Sequence, residues 1–136
     1  MKILLISGHG AGDSGACAKI NGVTYRECDE TIKMVNLIYI LLSKYAHVDC
    51  YPTNRNAFQD VKNGCVQVNF ANYDYVLEVH FNACVKDLKG NGFTTGTEIY
   101  VTKADGTTAT EQAIVNAIAA LGFKNRGVKR ANYSVI

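Results

Sequence analysis

Three residues stand in local settings suited to holding a metal ion. His9 lies between Gly8 and Gly10, Glu27 ends Thr24-Tyr25-Arg26-Glu27, and His80 ends the run of residues 75–80. Two imidazoles and one carboxylate form the protein ligand set of a catalytic zinc site, which leaves the fourth position open for water. A zinc ion held in this way lowers the pKa of bound water and polarises a carbonyl, as amide hydrolysis requires.

The glycines around His9 allow a second interpretation. Residues 2–7 form an apolar run typical of a buried strand, and Gly8-x-Gly10-x-Gly12 follows it, as in loops that bind phosphate. A phosphate loop needs a helix to begin at once, whereas Asn21-Gly22 interrupts this segment, and no Gly-Lys-Ser/Thr is present. A metal ligand at His9 is therefore favoured, and a nucleotide-binding α/β domain stays the alternative.

Glu27 has a structural alternative of its own. Thr24-x-x-Glu27 has the form of a capping box, in which the two side chains satisfy free amides at a helix start. Taken alone, the motif favours this structural role. The ligand interpretation gains weight because the first turn of a long helix would hold a ligand rigidly, and because two histidines need an anionic partner.

His80 is the last residue of a short segment rich in aromatic and β-branched residues, which predicts a strand. A lone histidine at the end of a strand is more often structural than a ligand. Glu78 shares a strand face with His80 and is suited to hydrogen-bond the imidazole of a ligand from behind. The alternative interpretation of Glu78 is a carboxylate that faces solvent. The remaining histidine, His47, is expected at the surface.

Composition excludes several classes of protein. The 136 residues, 48% of them hydrophobic, are enough for one domain with a core, which we expect to span residues 1–136. A formal net charge of +2, with scattered Lys and Arg, argues against nucleic-acid binding. No apolar run reaches the roughly 20 residues that span a bilayer, so we expect no transmembrane segment. Residues 1–9 are too short for a secretory signal, so we expect no export signal.

The cysteines do not form a recognisable framework. They are odd in number and show no Cys-x-x-Cys spacing, which argues against disulfides and against a structural zinc ribbon. We expect buried or half-buried thiols in a protein made in a reducing cytoplasm. The five are Cys17, Cys28, Cys50, Cys65 and Cys84.

Hydrophobic periodicity and turn signals predict strands alternating with helices, and therefore an α/β sandwich. We expect strands at residues 2–7, 48–51, 74–80 and 96–102. We expect helices at residues 24–45, 57–72 and 108–121, the second weakened at Asn63-Gly64 and the third ended by Gly122. We expect loops over residues 8–23 and 86–95.

With these motifs in this order, the chain resembles the zinc-dependent N-acetylmuramoyl-L-alanine amidases of phage endolysins and bacterial autolysins. The matching blocks span essentially the whole chain. They are Gly8-His9-Gly10, Gly12-Asp13-Ser14-Gly15-Ala16, Glu27, Thr53-Asn54-Arg55, Asn69, residues 74–83, Gly96-Thr97-Glu98-Ile99-Tyr100 and Lys124-Asn125-Arg126-Gly127-Val128-Lys129.

The resemblance implies zinc held by His9, Glu27 and His80. It implies hydrolysis of the amide that joins N-acetylmuramic acid to L-alanine in peptidoglycan. The implied fold is a twisted, mostly parallel or mixed sheet with helices on both faces. Without a signal sequence, a phage endolysin made in the host cytoplasm and acting at the bacterial cell wall fits better than an exported autolysin. The oligomeric state is left open.

The chain departs from the family pattern at two internal positions and in its last segment. Cys65 replaces an arginine that is common four residues before Asn69, and Glu78 replaces a serine that is common two residues before the ligand histidine. The family's catalytic glutamate lies on a further strand after the Arg-Gly-Val-Lys stretch. We therefore expect this glutamate beyond Ile136, and expect the chain to lack the family's last segment.

Glu98 and Glu78 are the remaining candidates for the catalytic carboxylate. Neither occupies the family's catalytic position, and Glu98 is more typical of a strand residue that faces solvent or a lysine. General acid–base catalysis contributes about 10²- to 10⁴-fold, so we expect zinc binding with slow hydrolysis. The alternative is a fragment impaired in catalysis that binds zinc or wall.

Overall fold

The computed structural model describes residues 1–84, 95–133 and 135. Within these residues the strands are β1 (Lys2–Ser7), β2 (Cys17–Ile20), β3 (Val23–Arg26), β4 (His47–Cys50), β5 (Tyr75–Val79), β6 (Thr97–Val101) and β7 (Asn125–Arg130). The helices are α1 (Glu27–Leu42), α2 (Ala57–Lys62) and α3 (Ala109–Ala119), with one 3-10 turn at Phe70–Asn72. The chain divides into two compact units: the first comprises residues 1–83 and Val135, and the second lies within residues 84–134. A single domain over residues 1–136 stays a prediction.

The first unit is built around β1, which is buried because both of its neighbours are strands and both of its faces are apolar. In the parallel sheet β4-β1-β5, Leu4 lies opposite Asp49 of β4 and Val76 of β5. Parallel strands end at the same edge of their sheet. The residues that follow β1 and β5 are therefore brought side by side, and these include His9 and His80.

Helices cover both faces of this sheet. Leu5 packs on one side with Val35 of α1 and Val48 of β4. Leu4 packs on the other side with Ala57, the first residue of α2. Successive side chains of a strand point to opposite faces of the sheet, so a continuously apolar strand requires both faces to be covered. The predicted α/β class, with a mostly parallel sheet between helices, is confirmed.

The segment before α1 is a hairpin, whereas the sequence predicted a loop over residues 8–23 and a helix from residue 24. Strands β2 and β3 pair in antiparallel fashion, from Cys17 opposite Arg26 to Ile20 opposite Val23. Asn21-Gly22 forms the turn, with positive φ values of 50° and 83°. Two adjacent positive φ values match the right-handed twist of a hairpin, and Asn-Gly is the sequence that favours them. The turn therefore joins two strands.

The second helix is shorter than predicted. It begins after Asn56, whose side chain accepts a hydrogen bond from the backbone N–H of Gln59, and it ends at Lys62. Gly64 then takes a positive φ of 67°, which ends the helix. The rest of the predicted helix, to residue 72, holds only the 3-10 turn. Asn63 and Gly64 therefore end the helix at a point where the hydrophobic periodicity predicted that it would continue.

The second unit pairs β6 with β7 in parallel and packs α3 against both. Strand β7 was missed because the sequence Asn125-Arg126-Gly127-Val128-Lys129-Arg130 carries one apolar residue and no alternation. Of the loop predicted over residues 86–95, residues 86–94 lie outside the described residues. No helix in the described part of the chain is long and apolar enough to cross a membrane.

The cysteines and His47 test two predictions about the surface. All five cysteines are free, but Cys17, Cys50 and Cys65 are exposed, so the expectation of buried or half-buried thiols holds only for Cys28 and Cys84. The side chain of His47 is 65% exposed, as predicted.

A buried carboxylate, that of Asp60, joins side chains of the first unit through hydrogen bonds. Asp60 is only 5% exposed, and its Oδ2 accepts hydrogen bonds from Tyr51 Oη at 2.6 Å and Arg55 Nε at 2.7 Å. The hydrogen bond from Arg55 holds the pKa of Asp60 well below its usual range, and Tyr51 adds to this effect. Because the pKa is lower in the folded state, the ionised carboxylate stabilises the fold.

We expect Asp60→Asn to lower the free energy of unfolding at pH 7. The wild-type advantage should be fully present above the unfolded pKa of about 3.9, and it should be lost as the pH falls further, toward the folded pKa. Urea denaturation at a series of pH values measures this difference. Glu30→Gln, which removes an exposed ion pair with Lys33, is the matched control and should change little. An Asp60→Asn effect no larger than the control would contradict the assignment.

Candidate metal centre

The turn that follows β1 determines the orientation of the His9 side chain. Gly8 still belongs to the sheet, because its N–H donates to the Val79 carbonyl at 2.9 Å. The chain then turns, with a positive φ of 65° at His9 and of 132° at Gly10. Reciprocal backbone hydrogen bonds between Gly10 and Asp13, at 3.0 and 2.7 Å, close this turn. A positive φ is uncommon for a histidine, so the tight turn determines where the imidazole points.

Glu27 is the first residue of α1, and the loop before β2 satisfies the free amides of that helix. The N–H of Glu27 donates to the Ala16 carbonyl at 2.8 Å, and the N–H of Cys28 donates to the Ser14 carbonyl at 3.2 Å. The residue preceding the helix is Arg26, and no side chain caps it. The capping-box interpretation of Thr24-x-x-Glu27 is therefore wrong, because Thr24 lies in β3 and backbone carbonyls do the capping.

The Glu27 carboxylate is therefore available for another purpose, although only 5% of its side chain is exposed. Its Oε2 accepts a hydrogen bond from the Ala16 N–H at 2.9 Å, and its Oε1 accepts one from the Phe81 N–H at 2.8 Å. Each oxygen also faces one imidazole. Oε2 lies 3.2 Å from His9 Nε2, and Oε1 lies 3.2 Å from His80 Nδ1.

The structure thus brings together the three residues that the sequence singled out. One ligand atom from each of His9, Glu27 and His80 lies within 4.8 Å of the others. The two imidazole rings are 5.0 Å apart and nearly perpendicular, at 82°. Two nitrogens and a carboxylate oxygen are a donor set that zinc accepts.

Two glycines leave room for this cluster. A Cβ atom on Gly8 would overlap the ring of His80, and a Cβ atom on Gly15 would lie 2.8 Å from Glu27 Oε2 and collide with His9. Gly15 also has a positive φ of 63°. The backbone therefore approaches the three side chains as closely as only glycine permits, which fits a preformed ion site.

Each histidine has a second carboxylate at its other nitrogen. Asp13 Oδ2 lies 2.8 Å from His9 Nδ1, and Glu78 Oε1 lies 3.3 Å from His80 Nε2. The hydrogen bond with Glu78 raises the pKa of His80, although desolvation opposes the effect. The hydrogen bond with His9 lowers the pKa of Asp13. Asp13 was given no role from the sequence, because a spacing of four residues predicts a side-chain contact only within a helix, and this segment is a glycine-rich turn with positive φ values.

The two candidates for the catalytic carboxylate have different surroundings. Glu78 sits behind His80, on the side of the ring that faces away from Glu27. Glu98 belongs to the second unit, where it accepts a hydrogen bond from Arg126 Nε at 3.0 Å and another from Lys129. Burial alone would raise the pKa of Glu98, but these two cations outweigh it and lower the pKa.

An open cavity of about 320 Å³ is lined in part by Glu27. The hairpin, the first turn of α1 and the segment after β5 form its walls. Its lining residues are Ala16, Cys17, Ala18, Tyr25, Arg26, Glu27, Glu30, Phe81, Asn82 and Ala83. Small side chains next to aromatic ones leave this space beside the buried Glu27 carboxylate.

Comparison with known families identifies the chain. The family described as N-acetylmuramoyl-L-alanine amidase matches residues 3–136. The chain belongs to the N-acetylmuramoyl-L-alanine amidase family. It is accordingly assigned to the hydrolases that cleave an amide of cell-wall peptidoglycan. A comparison with the sequences of curated proteins gives no match.

Solved amidase structures share this fold. An N-acetylmuramoyl-L-alanine amidase from Clostridium difficile 630 is 21% identical, with a TM-score of 0.75 over 98% of this chain and 71% of that one. The catalytic domain of the amidase CwlV from Bacillus (Paenibacillus) polymyxa var. colistinus is 24% identical, with a TM-score of 0.66 over 100% of this chain and 73% of that one. For an amidase from Nostoc punctiforme the values are 19%, 0.69, 98% and 71%.

Gly15 and Gly12 form a matched pair for testing the cluster. Both have positive φ, but a Cβ on Gly12 would meet nothing within 4 Å. We expect Gly12→Ala to cost only backbone strain, on the order of 1 kcal/mol. Gly15→Ala should also displace His9 or Glu27 and weaken zinc binding by about tenfold or more. Chelator competition measures the affinity. Equal affinities in the two variants would show that Gly15 does not shape the site.

Proposed function

We propose that this amidase hydrolyses the bond between N-acetylmuramic acid and L-alanine with a zinc ion held by His9, Glu27 and His80. The observation that carries the proposal is the buried Glu27 carboxylate, whose oxygens each face one imidazole nitrogen at 3.2 Å. Two histidines and one glutamate are among the ligand sets that catalytic zinc sites use. A protein ligand set of three residues leaves further coordination positions for water and substrate.

A bound zinc ion would supply a Lewis acid that polarises the scissile carbonyl and lowers the pKa of water. The chain itself supplies rigidity. The backbone N–H groups of Ala16 and Phe81 fix both oxygens of Glu27, so this ligand needs no rearrangement when the ion binds. The cavity that Glu27 lines would supply room for the substrate. Its aromatic walls, Tyr25 and Phe81, suit the apolar portions of a peptide or sugar.

The proton that the leaving amine needs must come from a group within hydrogen-bond reach of it. Glu78 is better placed to hold His80 than to reach that amine, because it contacts the nitrogen on the far side of the ring. The Lys129 and Arg126 cations favour the ionised form of Glu98, which is the wrong form for a general acid. The identity of the catalytic carboxylate stays open, and an origin in a phage endolysin stays a prediction.

Metal content tests the ligand set. We expect about one zinc ion per chain, and we expect Glu27→Gln to bind zinc far more weakly. Glutamine removes the negative charge, and its amide nitrogen would have to face the N–H of either Ala16 or Phe81, so a donor would meet a donor. Elemental analysis and chelator competition give the stoichiometry and affinity. His47→Gln, at an exposed histidine outside the cluster, is the control. Normal zinc content in Glu27→Gln would refute the ligand assignment.

Digestion of purified peptidoglycan tests the reaction. The zinc-loaded chain should release new L-alanine amino groups, at a rate that falls when a chelator removes the metal and recovers when zinc returns. A chain that binds zinc and wall but releases no amine is the impaired fragment. Release of reducing sugars without new amines would show that a different bond is cleaved.

The cavity yields a separate test of substrate access. Ala18 lines the cavity, whereas Lys19, the next residue of β2, points to the opposite face of the hairpin. We expect Ala18→Phe to fill the cavity and lower kcat/KM on peptidoglycan by about tenfold, which corresponds to about 1.4 kcal/mol of transition-state stabilisation. Zinc affinity should not change. Lys19→Phe is the control, and an equal loss in both variants would show that the substrate does not use the cavity.

A further inference from the structure

Each imidazole of the proposed zinc site lies between two carboxylates, but the two rings are turned in opposite senses. His9 directs Nε2 to Glu27, at 3.2 Å, and Nδ1 to Asp13, at 2.8 Å. His80 directs Nδ1 to Glu27, also at 3.2 Å, and Nε2 to Glu78, at 3.3 Å. The nitrogen that faces the shared carboxylate therefore differs between the two histidines.

A neutral imidazole carries one N–H and one lone pair, and only the nitrogen with the lone pair can bind a metal. A carboxylate accepts hydrogen bonds and donates none when ionised. When the nitrogen that faces Glu27 gives its lone pair to the ion, the proton of each ring belongs on the other nitrogen, where Asp13 accepts it from Nδ1 of His9 and Glu78 accepts it from Nε2 of His80. Asp13 and Glu78 thereby stabilise the tautomers whose lone pairs face Glu27 and the ion.

We infer that Asp13 and Glu78 are positioning residues that make Nε2 of His9 and Nδ1 of His80 the two zinc-binding nitrogens. The inference rests on the proposed zinc site and adds which atom of each ring binds, and which residue enforces the choice. A hydrogen bond to a ligand imidazole also increases its basicity, so both residues strengthen the site.

The two positioning residues are held with different rigidity. Asp13 Oδ1 accepts the Gly15 N–H at 2.9 Å, while Oδ2 faces His9 and also accepts from Asn56 Nδ2 at 3.3 Å. Both oxygens are therefore in use, and Asp13→Asn would turn an NH₂ group toward a donor. Glu78 makes a longer contact to His80, which the amide oxygen of glutamine could reproduce.

This difference determines how we expect the variants to rank in zinc affinity. Glu78→Gln should keep most of the zinc affinity, because its oxygen still accepts the Nε2–H of His80. Glu78→Leu removes the acceptor and should weaken zinc binding by about 10- to 100-fold. Asp13→Asn should fall in the same range as Glu78→Leu, because the substitution disturbs Gly15 as well as His9. Rescue by glutamine separates positioning from the general effect of changing residue 78.

The decisive experiment is nuclear magnetic resonance of the ¹⁵N-labelled chain with and without zinc. Two-bond ¹H–¹⁵N spectra distinguish, for each imidazole, the protonated nitrogen from the metal-bound one. We expect zinc on Nε2 of His9 and on Nδ1 of His80 in the wild type. His47 is the internal control, because it is exposed and lies beside Asp49 outside the cluster, so its pattern should not respond to zinc.

The outcomes separate this inference from the proposed function. Zinc bound through Nε2 of His80 would overturn the role of Glu78, and zinc bound through Nδ1 of His9 would overturn that of Asp13, while the zinc site itself would stand. Absence of any zinc-dependent change at both histidines would overturn the proposed zinc site together with the inference. The wild-type spectrum decides these questions even if a variant fails to fold.

Discussion

Burial of the Glu27 carboxylate is the constraint on which the arrangement of the site depends. A carboxyl group that is only 5% exposed is costly to bury unless its oxygens are hydrogen-bonded or paired with charge. The chain meets this requirement with backbone N–H groups from Ala16 and Phe81 and with the two imidazoles. The loop before β2, the start of α1 and the end of β5 are thereby drawn to one point.

The parallel sheet makes this convergence possible. Strands β1 and β5 run side by side and end at the same edge, so the residues after them meet without a long connection. Gly8 and Gly15 then permit side chains to lie against backbone where a Cβ atom would collide. The parallel sheet thus brings the strand ends to one edge, and the glycines leave space for the side chains there. The buried Glu27 carboxylate stabilises this close packing, because its oxygens need hydrogen-bond partners.

Polar contacts organise the second unit in a different way. Strand β7 contributes charged residues instead of an apolar face, and Glu98 of β6 is paired with Arg126 and Lys129. A nearby cation makes an ionised carboxylate easier to bury, so these pairs join two strands that hydrophobic patterning alone would not have joined. The same pairs make Glu98 a structural residue more readily than a proton donor.

The sequence alone determined the residue types of the candidate site, the buried central strand and the family, because ligand chemistry and a long apolar run are local properties. It also contained the signal for the hairpin, in Asn21-Gly22. Tertiary structure decided the rest. Glu27 is not part of a capping box, because Thr24 lies in β3 and the loop before β2 supplies the capping carbonyls of Ala16 and Ser14. The role of Asp13 likewise depends on a turn with positive φ, because a spacing of four residues predicts a contact with His9 only in a helix, and this segment is not helical.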